Sequence, residues 1–571
     1  MSRLKGKLID PRGKQPRELM KLAPRPSIEE LQKGKIVFYN NTKLLHNNYM
    51  TIFHHVKKKL ADEGIENVVD FIETPRGKSN QDLLDYAAKL AAERPTAAIV
   101  AIGDIGVSPA CTIITIALEK LGIPTLYITA PPGTAISKAT AHYRSGQLCI
   151  TSLEELFPGS TDHEIETMIN EQWSSMMDAF LLPPGEIEKR ADLQFEIDTD
   201  VTGKDEPDDI GEKIQLSEVE LKEPAPGIQQ IIDVYNDLHI SDGLPIIPPT
   251  RRRYDKMLTY CPFDPGTVLA EKIGPSGKDI LVSDVAIASV MAGCKPHHMP
   301  ILVTAFQAMA DPNYNLLQAV TTSHPGGNLV LVSGPLAQEV GLYGGQGCLG
   351  PGFPENLTVG RAVNLACINV CRAVPGIADL ANVSCQAELT YCFAEEPSLT
   401  PWNTINAECY DEKTTTVMVL KAEALHDIID FLSLTAEDLL DTIVDCCTTL
   451  GSNNAYITGP LILILTPDHS WMLDNDGWTK DMIREHIHQR ATNEVPMLKG
   501  RGIKPVRPPE FEKRHPMPVT RFPEDVHIVV AGGRGGHSGV ILPWGLHSEA
   551  IIRKVVLPDG SLPSSIKDFQ K

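Results

Sequence analysis

The chain has 571 residues, 42% hydrophobic and 22% charged, an ordinary globular composition in a chain too long for a single core, so two or three domains are expected. Its formal net charge of −21 argues against nucleic acid or an anionic membrane surface as a partner. The opening MSRLKGKLIDPRGK is basic but has no apolar stretch of the secretory kind, and no apolar run approaches a membrane span, so a cytoplasmic protein is expected with its 12 cysteines as thiols rather than a disulfide framework.

Residues 1–34 carry scattered Pro, Lys and Arg and read as an extended arm, wrapped on a partner subunit or packed on its own chain. An α/β domain is expected over 35–182. Lys35 to Tyr39 is a strand ending in Asn40-Asn41-Thr42, and a helix runs through Phe53 to Leu60. Val68 to Ile72 is a second strand, Gln81 to Ala92 a helix, and Ala97 to Ile102 a third strand. After the turn Gly103-Asp104-Ile105-Gly106-Val107-Ser108-Pro109-Ala110-Cys111 comes a helix over Thr112 to Leu121, then a fourth strand, Leu126 to Thr129. This alternation implies a parallel, Rossmann-like sheet with right-handed crossovers, whose ligands gather at the carboxyl ends of the strands. Asn40, Asn41, Asp104 and Cys111 belong to that edge, and Ser108 and Thr112 flank the thiol. Neither GxGxxG after the first strand nor GxxxxGK[ST] is present, so no dinucleotide or nucleoside triphosphate site is expected.

Cys111 is the sharpest candidate. A helix N-terminus favours a thiolate, which a nucleophilic or redox cysteine requires. The competing reading is a small buried residue closing the crossover.

Residues 183–226 are acidic and poor in aromatics, as in a linker. A larger mixed α/β domain follows over 227–571. Strands are expected at Leu317 to Thr321, Asn328 to Val332, Thr390 to Ala394, Thr415 to Leu420, Leu461 to Leu465 and Val526 to Val530. Helices are expected at Ser283 to Met291, Ile301 to Ala310, Val359 to Val370, Ala436 to Cys447 and Lys480 to Gln489.

The chemistry-bearing residues of this second domain lie mostly on glycine-rich loops. His324, in Thr321-Thr322-Ser323-His324-Pro325-Gly326-Gly327-Asn328, is a candidate acid, base or ligand, or a loop histidine bonded to backbone. Gly345 and Gly347 let backbone approach a ligand, and Cys348 stands between them and Gly350. Arg361, placed in the first turn of its helix, needs an anionic partner there, either a substrate carboxylate or a structural Asp or Glu. Cys367 and Cys371 share a helix face without an accompanying histidine and read as core, as does the pair Cys446-Cys447. Glu395, paired with Glu396 at a strand end, suits acid–base work or a cation, against the plain alternative of a solvated turn. Gly535, Gly536, His537 and Ser538 follow the last strong strand, where a glycine loop binds anions through its N–H groups. No GxSxG elbow is present, so a hydrolase triad is not indicated by the sequence.

Together these segments resemble the UGSC family of predicted selenoproteins and their cysteine homologues. The N-terminal resemblance lies in Gly103-Asp104 to Thr112 and in Leu118-Glu119-Lys120-Leu121-Gly122-Ile123-Pro124-Thr125. The second domain resembles the partner domain that accompanies it, in Asp242 to Thr250, Val290 to Cys294, Thr322 to Pro325, Gly360-Arg361-Ala362, Cys392 to Glu396 with Pro401-Trp402, and Ala531 to Ser538. The resemblance implies a thiol–disulfide oxidoreductase-like protein, a label resting on a selenocysteine or cysteine three residues before the second cysteine. Here Ser108 stands in that place, so exchange between two thiols of this motif is unavailable.

The expected function is therefore a cysteine-dependent enzyme acting on a small anionic organic substrate between the two domains, by lyase-type cleavage or addition. Cys111 would react and His324 and His537 would transfer protons, with Ser538, Glu395 and Cys348 as further catalytic candidates; Asn40, Asn41, Asp104, Ser108, Thr112, Asn328, Arg361 and the glycine loops would hold the substrate. A thiol oxidoreductase pairing Cys111 with Cys348, and a non-catalytic small-ligand-binding protein, are the alternatives. No cofactor is predicted, a metal ion is left open, and a homo-oligomer is expected.

Overall fold

In a computed structural model the structure describes residues 20–41, 50–75, 78–104, 106–131, 133–144, 146–156, 160–190, 192–193, 225–502 and 516–571. The first five strands are β1 (Ile36–Asn40), β2 (Val68–Ile72), β3 (Ala97–Gly103), β4 (Thr125–Thr129) and β5 (Cys149–Ser152). They pair in parallel in the order β2-β1-β3-β4-β5. β1, β3 and β4 are buried along their whole length, which is why they read as continuous apolar runs rather than as alternation. The fifth strand, only Cys-Ile-Thr-Ser, lies beyond the four expected; it is too short and mixed to carry a periodic signal.

The helices are α1 (Ile28–Lys33), α2 (Met50–Asp62), α3 (Asn80–Ala92), α4 (Ser108–Lys120), α5 (Gly133–Tyr143) and α6 (Asp162–Leu181). α2 and α6 cover one face of the sheet, and α3, α4 and α5 the other. Ser79 and Thr161 start α3 and α6 through reciprocal capping boxes. Because the helices after β1 and β3 lie on opposite faces, the carboxyl ends of these two strands flank the switch point of the sheet, where folds of this kind form a ligand crevice. The described part of the expected arm packs on its own chain: Met20, Leu22 and Ala23 are buried and Arg25 reaches Glu119. Residues 1–19 lie outside the described residues, as do 191 and 194–224 of the expected acidic linker.

The second region contains β6 (Val268–Ile273), β7 (Lys278–Leu281), β8 (Gly327–Ser333), β9 (Cys392–Ala394), β10 (Thr416–Ala422), β11 (His426–Ile429), β12 (Leu461–Leu465), β13 (Thr492–Asn493), β14 (Met517–Pro518), β15 (Val526–Val530), β16 (His537–Ile541) and β17 (Ile551–Lys554). Two four-stranded sheets, β17-β10-β8-β9 and β11-β16-β12-β15, face each other. Side-chain alternation builds four layers. Leu329 and Leu331 of β8 meet Ile462 and Ile464 of β12 between the sheets. Val330 and Val332 point instead to helices Val282–Ala292, Met299–Met309 and Pro354–Ala366. Leu461, Leu463 and Leu465 point to helices Ala436–Cys447 and Lys480–Arg490.

Two expectations are corrected here. Leu317 to Thr321 is no strand: Leu316–Ala319 is a helical turn entered from Asn315, whose φ of 58° starts a turn. A short apolar run does not distinguish a strand from a buried turn. The helix expected from Val359 begins at Pro354, a proline in the favoured first position, so Arg361 lies in its second turn rather than its first.

The two regions meet. Gln318 Nε2 donates to the Pro75 carbonyl at 3.0 Å, and Arg144 donates to the carbonyls of Pro275 and Gly274 at 3.0 and 3.1 Å. Among the described residues no helix is long and apolar enough to cross a membrane.

Candidate functional site

The first candidate centre is the β1/β3 crevice. Val107 is the N-cap of α4, and Ser108 to Cys111 form its first turn, the Cys111 N–H donating to the Val107 carbonyl at 3.0 Å. The thiol therefore sits inside the first turn, wholly buried. Asn41, one residue beyond β1, donates from Nδ2 to the Ile102 carbonyl at 2.6 Å and to Cys111 Sγ at 3.3 Å. Ser108 Oγ, also wholly buried, has no hydrogen-bond partner among the described residues. The Ser108 carbonyl accepts from Thr112 Oγ1 at 2.8 Å and from the Tyr127 hydroxyl at 3.1 Å. Asn40 closes β1 and Asp104 follows β3, both buried. Burial holds the Tyr39 and Tyr127 hydroxyls well above the ordinary phenol range, so both stay protonated donors.

The second domain closes on this end of the sheet. Leu317 packs in the same core as Cys111, and Gln318 holds the Pro75 carbonyl. Six residues on, His324 is buried, its Nε2 2.9 Å from Glu423 Oε1 and its ring stacked on Trp544 at 6.0 Å. Burial pushes its pKa down, against the Glu423 carboxylate. Its Nδ1 is buried with no partner among the described residues.

The two glycine loops form a second centre. Gly532 N–H donates to the Gly344 carbonyl at 2.8 Å, and the loops bound a cavity of 460 Å³. Gly347, Cys348, Gly535, His537 and Ser538 line it. Gly345 sits at the bridge between the loops, paired with Gly532. Gly536 packs against the Asp430 carbonyl, where a Cβ would clash. His537 is exposed, with Nδ1 3.0 Å from Asp427 Oδ1. Burial pushes the Cys348 thiol up to about 11. Cys348 belongs to the core between the two sheets and Cys111 to that of the N-terminal sheet, so the structure places them in separate cores.

The remaining expected residues are engaged within the protein. Arg361 makes a two-pronged ion pair with Asp242, Nε to Oδ2 at 2.6 Å and Nη2 to Oδ1 at 2.8 Å, the structural partner left open by the sequence. Asn328 is buried, accepting from Tyr314 at 2.6 Å and donating to Asn364 at 3.0 Å. Glu395 is buried and pushed up by burial; it accepts from Ser333 Oγ at 2.6 Å and Ile405 N–H at 2.8 Å, with Lys480 Nζ 3.9 Å away. Cys367, Cys371 and Cys447 are core. Among the described residues no group of three or more His, Cys, Asp and Glu is arranged to hold a metal ion.

Sequence reasoning missed His469, Glu423 and Tyr127. His469 stands in Thr466-Pro467-Asp468-His469 after β12, where Pro467 in the first helical position marks a strand-to-helix turn. That signal was present; the histidine's partner, 69 residues away in sequence, was not.

No curated protein and no solved structure matches the chain. Residues 7–145, which contain the Ser108–Cys111 turn and the strands β1 and β3, match the model of the UGSC family.

Proposed function

We propose that the chain is a cysteine-dependent enzyme that cleaves or adds to a small anionic organic molecule, with Cys111 as the reacting group. The observation that carries this reading is the Asn41 Nδ2 bond to Cys111 Sγ at 3.3 Å, made at the switch point where doubly wound sheets bind ligands. Asn41 fixes the sulfur between β1 and β3 and donates to it, a bond that works against the burial of the thiol. The start of α4 favours negative charge in the same crevice. Ser108 Oγ, buried without a partner among the described residues, is a group a bound molecule would satisfy. His324, with Glu423 on Nε2 and no partner for Nδ1 among the described residues, is the proton carrier of the reading. The second domain, which resembles the usual partner of such domains, excludes water from the crevice.

Exchange between Cys111 and Cys348 has no observation in its favour: a thiol pushed to about 11 stays protonated near neutrality, and the two sulfurs sit in separate cores. The same reading takes the protein as a cytoplasmic homo-oligomer that binds neither nucleic acid nor membrane; light scattering giving a monomer mass at micromolar concentration would remove the oligomer.

The test incubates the whole protein with a small-molecule extract and compares wild type with Cys111→Ser. Wild type should deplete at least one anionic compound, and Cys111→Ser should not, while both melt alike. Depletion at equal rates by the two proteins, or by neither, overturns the proposal.

A further inference from the structure

The cavity between the glycine loops holds a pair of groups that the Cys111 reading does not use. Ser538, on β16, is 3% exposed and lines the cavity. Its Oγ lies 2.7 Å from His469 Nδ1. His469 Nε2 lies 2.8 Å from the Asp430 carbonyl, which can only accept, so the ring proton is on Nε2 and Nδ1 is the acceptor. Ser538 Oγ–H therefore donates to His469. The same Oγ accepts from the Thr466 N–H at 3.0 Å. The hydroxyl is thus held with its proton directed at a base, the relation of nucleophile to general base. Gly536 is required by the geometry, since a Cβ there would strike the Asp430 carbonyl that sets the histidine tautomer.

Two further features point to a ligand. Among the described residues, no acceptor is bonded to the N–H groups of Gly533, Arg534 or Gly535, which lie on the cavity wall. Gly532 and Gly535 have φ of 91° and 129°, with open space where a Cβ would be, so it is conformation and not crowding that calls for glycine. Such a loop offers successive N–H groups to a developing negative charge. Leu349, Leu425, Phe431 and Ile464 form the apolar part of the wall, beside the polar side chains of Gln346, Arg534 and His537. At 460 Å³ the cavity suits a small molecule with a short hydrocarbon chain.

We propose that this cavity is a second centre, hydrolysing esters of short-chain carboxylic acids, with Ser538 as nucleophile and His469 as its base. Ser538 Oγ bonds to the acyl carbon while its proton passes to His469 Nδ1, and the carbonyl electron pair moves to oxygen beside the Gly533–Gly535 N–H groups. The tetrahedral species collapses, the bond from carbon to the alcohol oxygen breaks, and His469 returns the proton to the leaving alcohol. Water then attacks the acyl-serine by the same path, releasing the acid and restoring Ser538. Overall, one ester and one water give one acid and one alcohol. A carbonyl rather than a carboxylate supports the imidazolium, so turnover is expected to be slower than in a full triad.

The test treats the whole chain with a fluorophosphonate probe and with p-nitrophenyl butyrate. The expected result is one labelled peptide containing Ser538, with label and ester hydrolysis lost in Ser538→Ala by at least about 100-fold. Labelling of wild type should fall on acidification, because a protonated His469 accepts no proton. In His469→Gln it should be slow and independent of pH, a change that loss of a packing bond alone would not produce. Should Ser538→Ala fail to fold, competition decides: p-nitrophenyl butyrate must slow labelling of the wild type. Absence of label at Ser538, equal hydrolysis by wild type and a folded Ser538→Ala, or a pH profile unchanged in His469→Gln overturns the proposal.

Discussion

Replacing Glu119 by alanine should loosen the helix that carries Cys111. Glu119 lies in the last turn of α4 and its side chain is wholly buried. A carboxylate there opposes the helix dipole and is held by four donors instead. Arg25 Nη1 and Nη2 each approach at 2.9 Å, Ala23 N–H at 2.7 Å and Thr125 N–H at 2.8 Å. Arg25 is itself 1% exposed. Alanine leaves that guanidinium and two backbone N–H groups without the acceptor that gathered them. Removing one partner of a buried pair costs about 3–5 kcal/mol. Arg25 keeps the Ala179 and Ala23 carbonyls at 2.9 and 2.7 Å, which places the expected loss at the lower end of that range. The double variant Arg25→Met, Glu119→Leu removes both charges together and leaves only the Ala23 and Thr125 N–H groups without their acceptor, so it should be less damaged than the single variant by about 1 kcal/mol or more. Urea titration followed by hydrogen exchange of peptides spanning 97–129 reads this domain separately from the other, which one spectroscopic transition would not. A shift below about 1 kcal/mol for Glu119→Ala, or a double variant as damaged as the single one, would refute the account of a buried pair anchoring the chain before α1 to α4.

Three further outcomes follow from buried groups. Asp284 is buried in the first turn of its helix, and burial pushes it up to about 6 against the Leu281 N–H. Its folded value lies above the unfolded one near 4, so its contribution is present at about pH 4 and lost as pH rises through 6; wild type should lose about 2–3 kcal/mol over that window relative to Asp284→Asn, read as urea midpoints against pH. His298 is pushed down to about 4 by burial; its Nε2 donates to the Val340 carbonyl at 3.1 Å while Nδ1 accepts from the Lys295 N–H at 3.2 Å, leaving no place for a second proton. Its contribution is present above about pH 6.5 and lost as pH falls toward 4, by about 3 kcal/mol, and His298→Gln should flatten that limb of the stability curve. Gly103→Ala should destabilise the N-terminal domain by about 1–3 kcal/mol, since a Cβ would strike the Tyr127 hydroxyl at the end of β3; a melting temperature unchanged from wild type would show that the contact relaxes freely.

The sequence by itself determined the strand–helix alternation of the N-terminal domain and the sheet edge on which Cys111 lies; the strand order came from the structure. Ala97–Gly103, buried at every position, reads as a central parallel strand because no face of it meets water. The gap between it and α4 then forces Cys111 onto the carboxyl edge, because a parallel crossover admits one hand. The helices of the second domain were legible wherever one apolar face ran for three turns, as at Ala436–Cys447. Pairings across long stretches of chain were decided only by tertiary structure. Leu317 gave an apolar run without a period, and its packing against α4 settled a helical turn. Arg361 carried a demand for an anion, and only the fold supplied Asp242, 119 residues earlier. Ser538 and His469 are each unremarkable in sequence. They become a pair because β12 and β16 are antiparallel neighbours, which brings the turn after one strand to the start of the other. Local composition specifies elements; chemistry between distant residues depends on register, which local pattern does not encode.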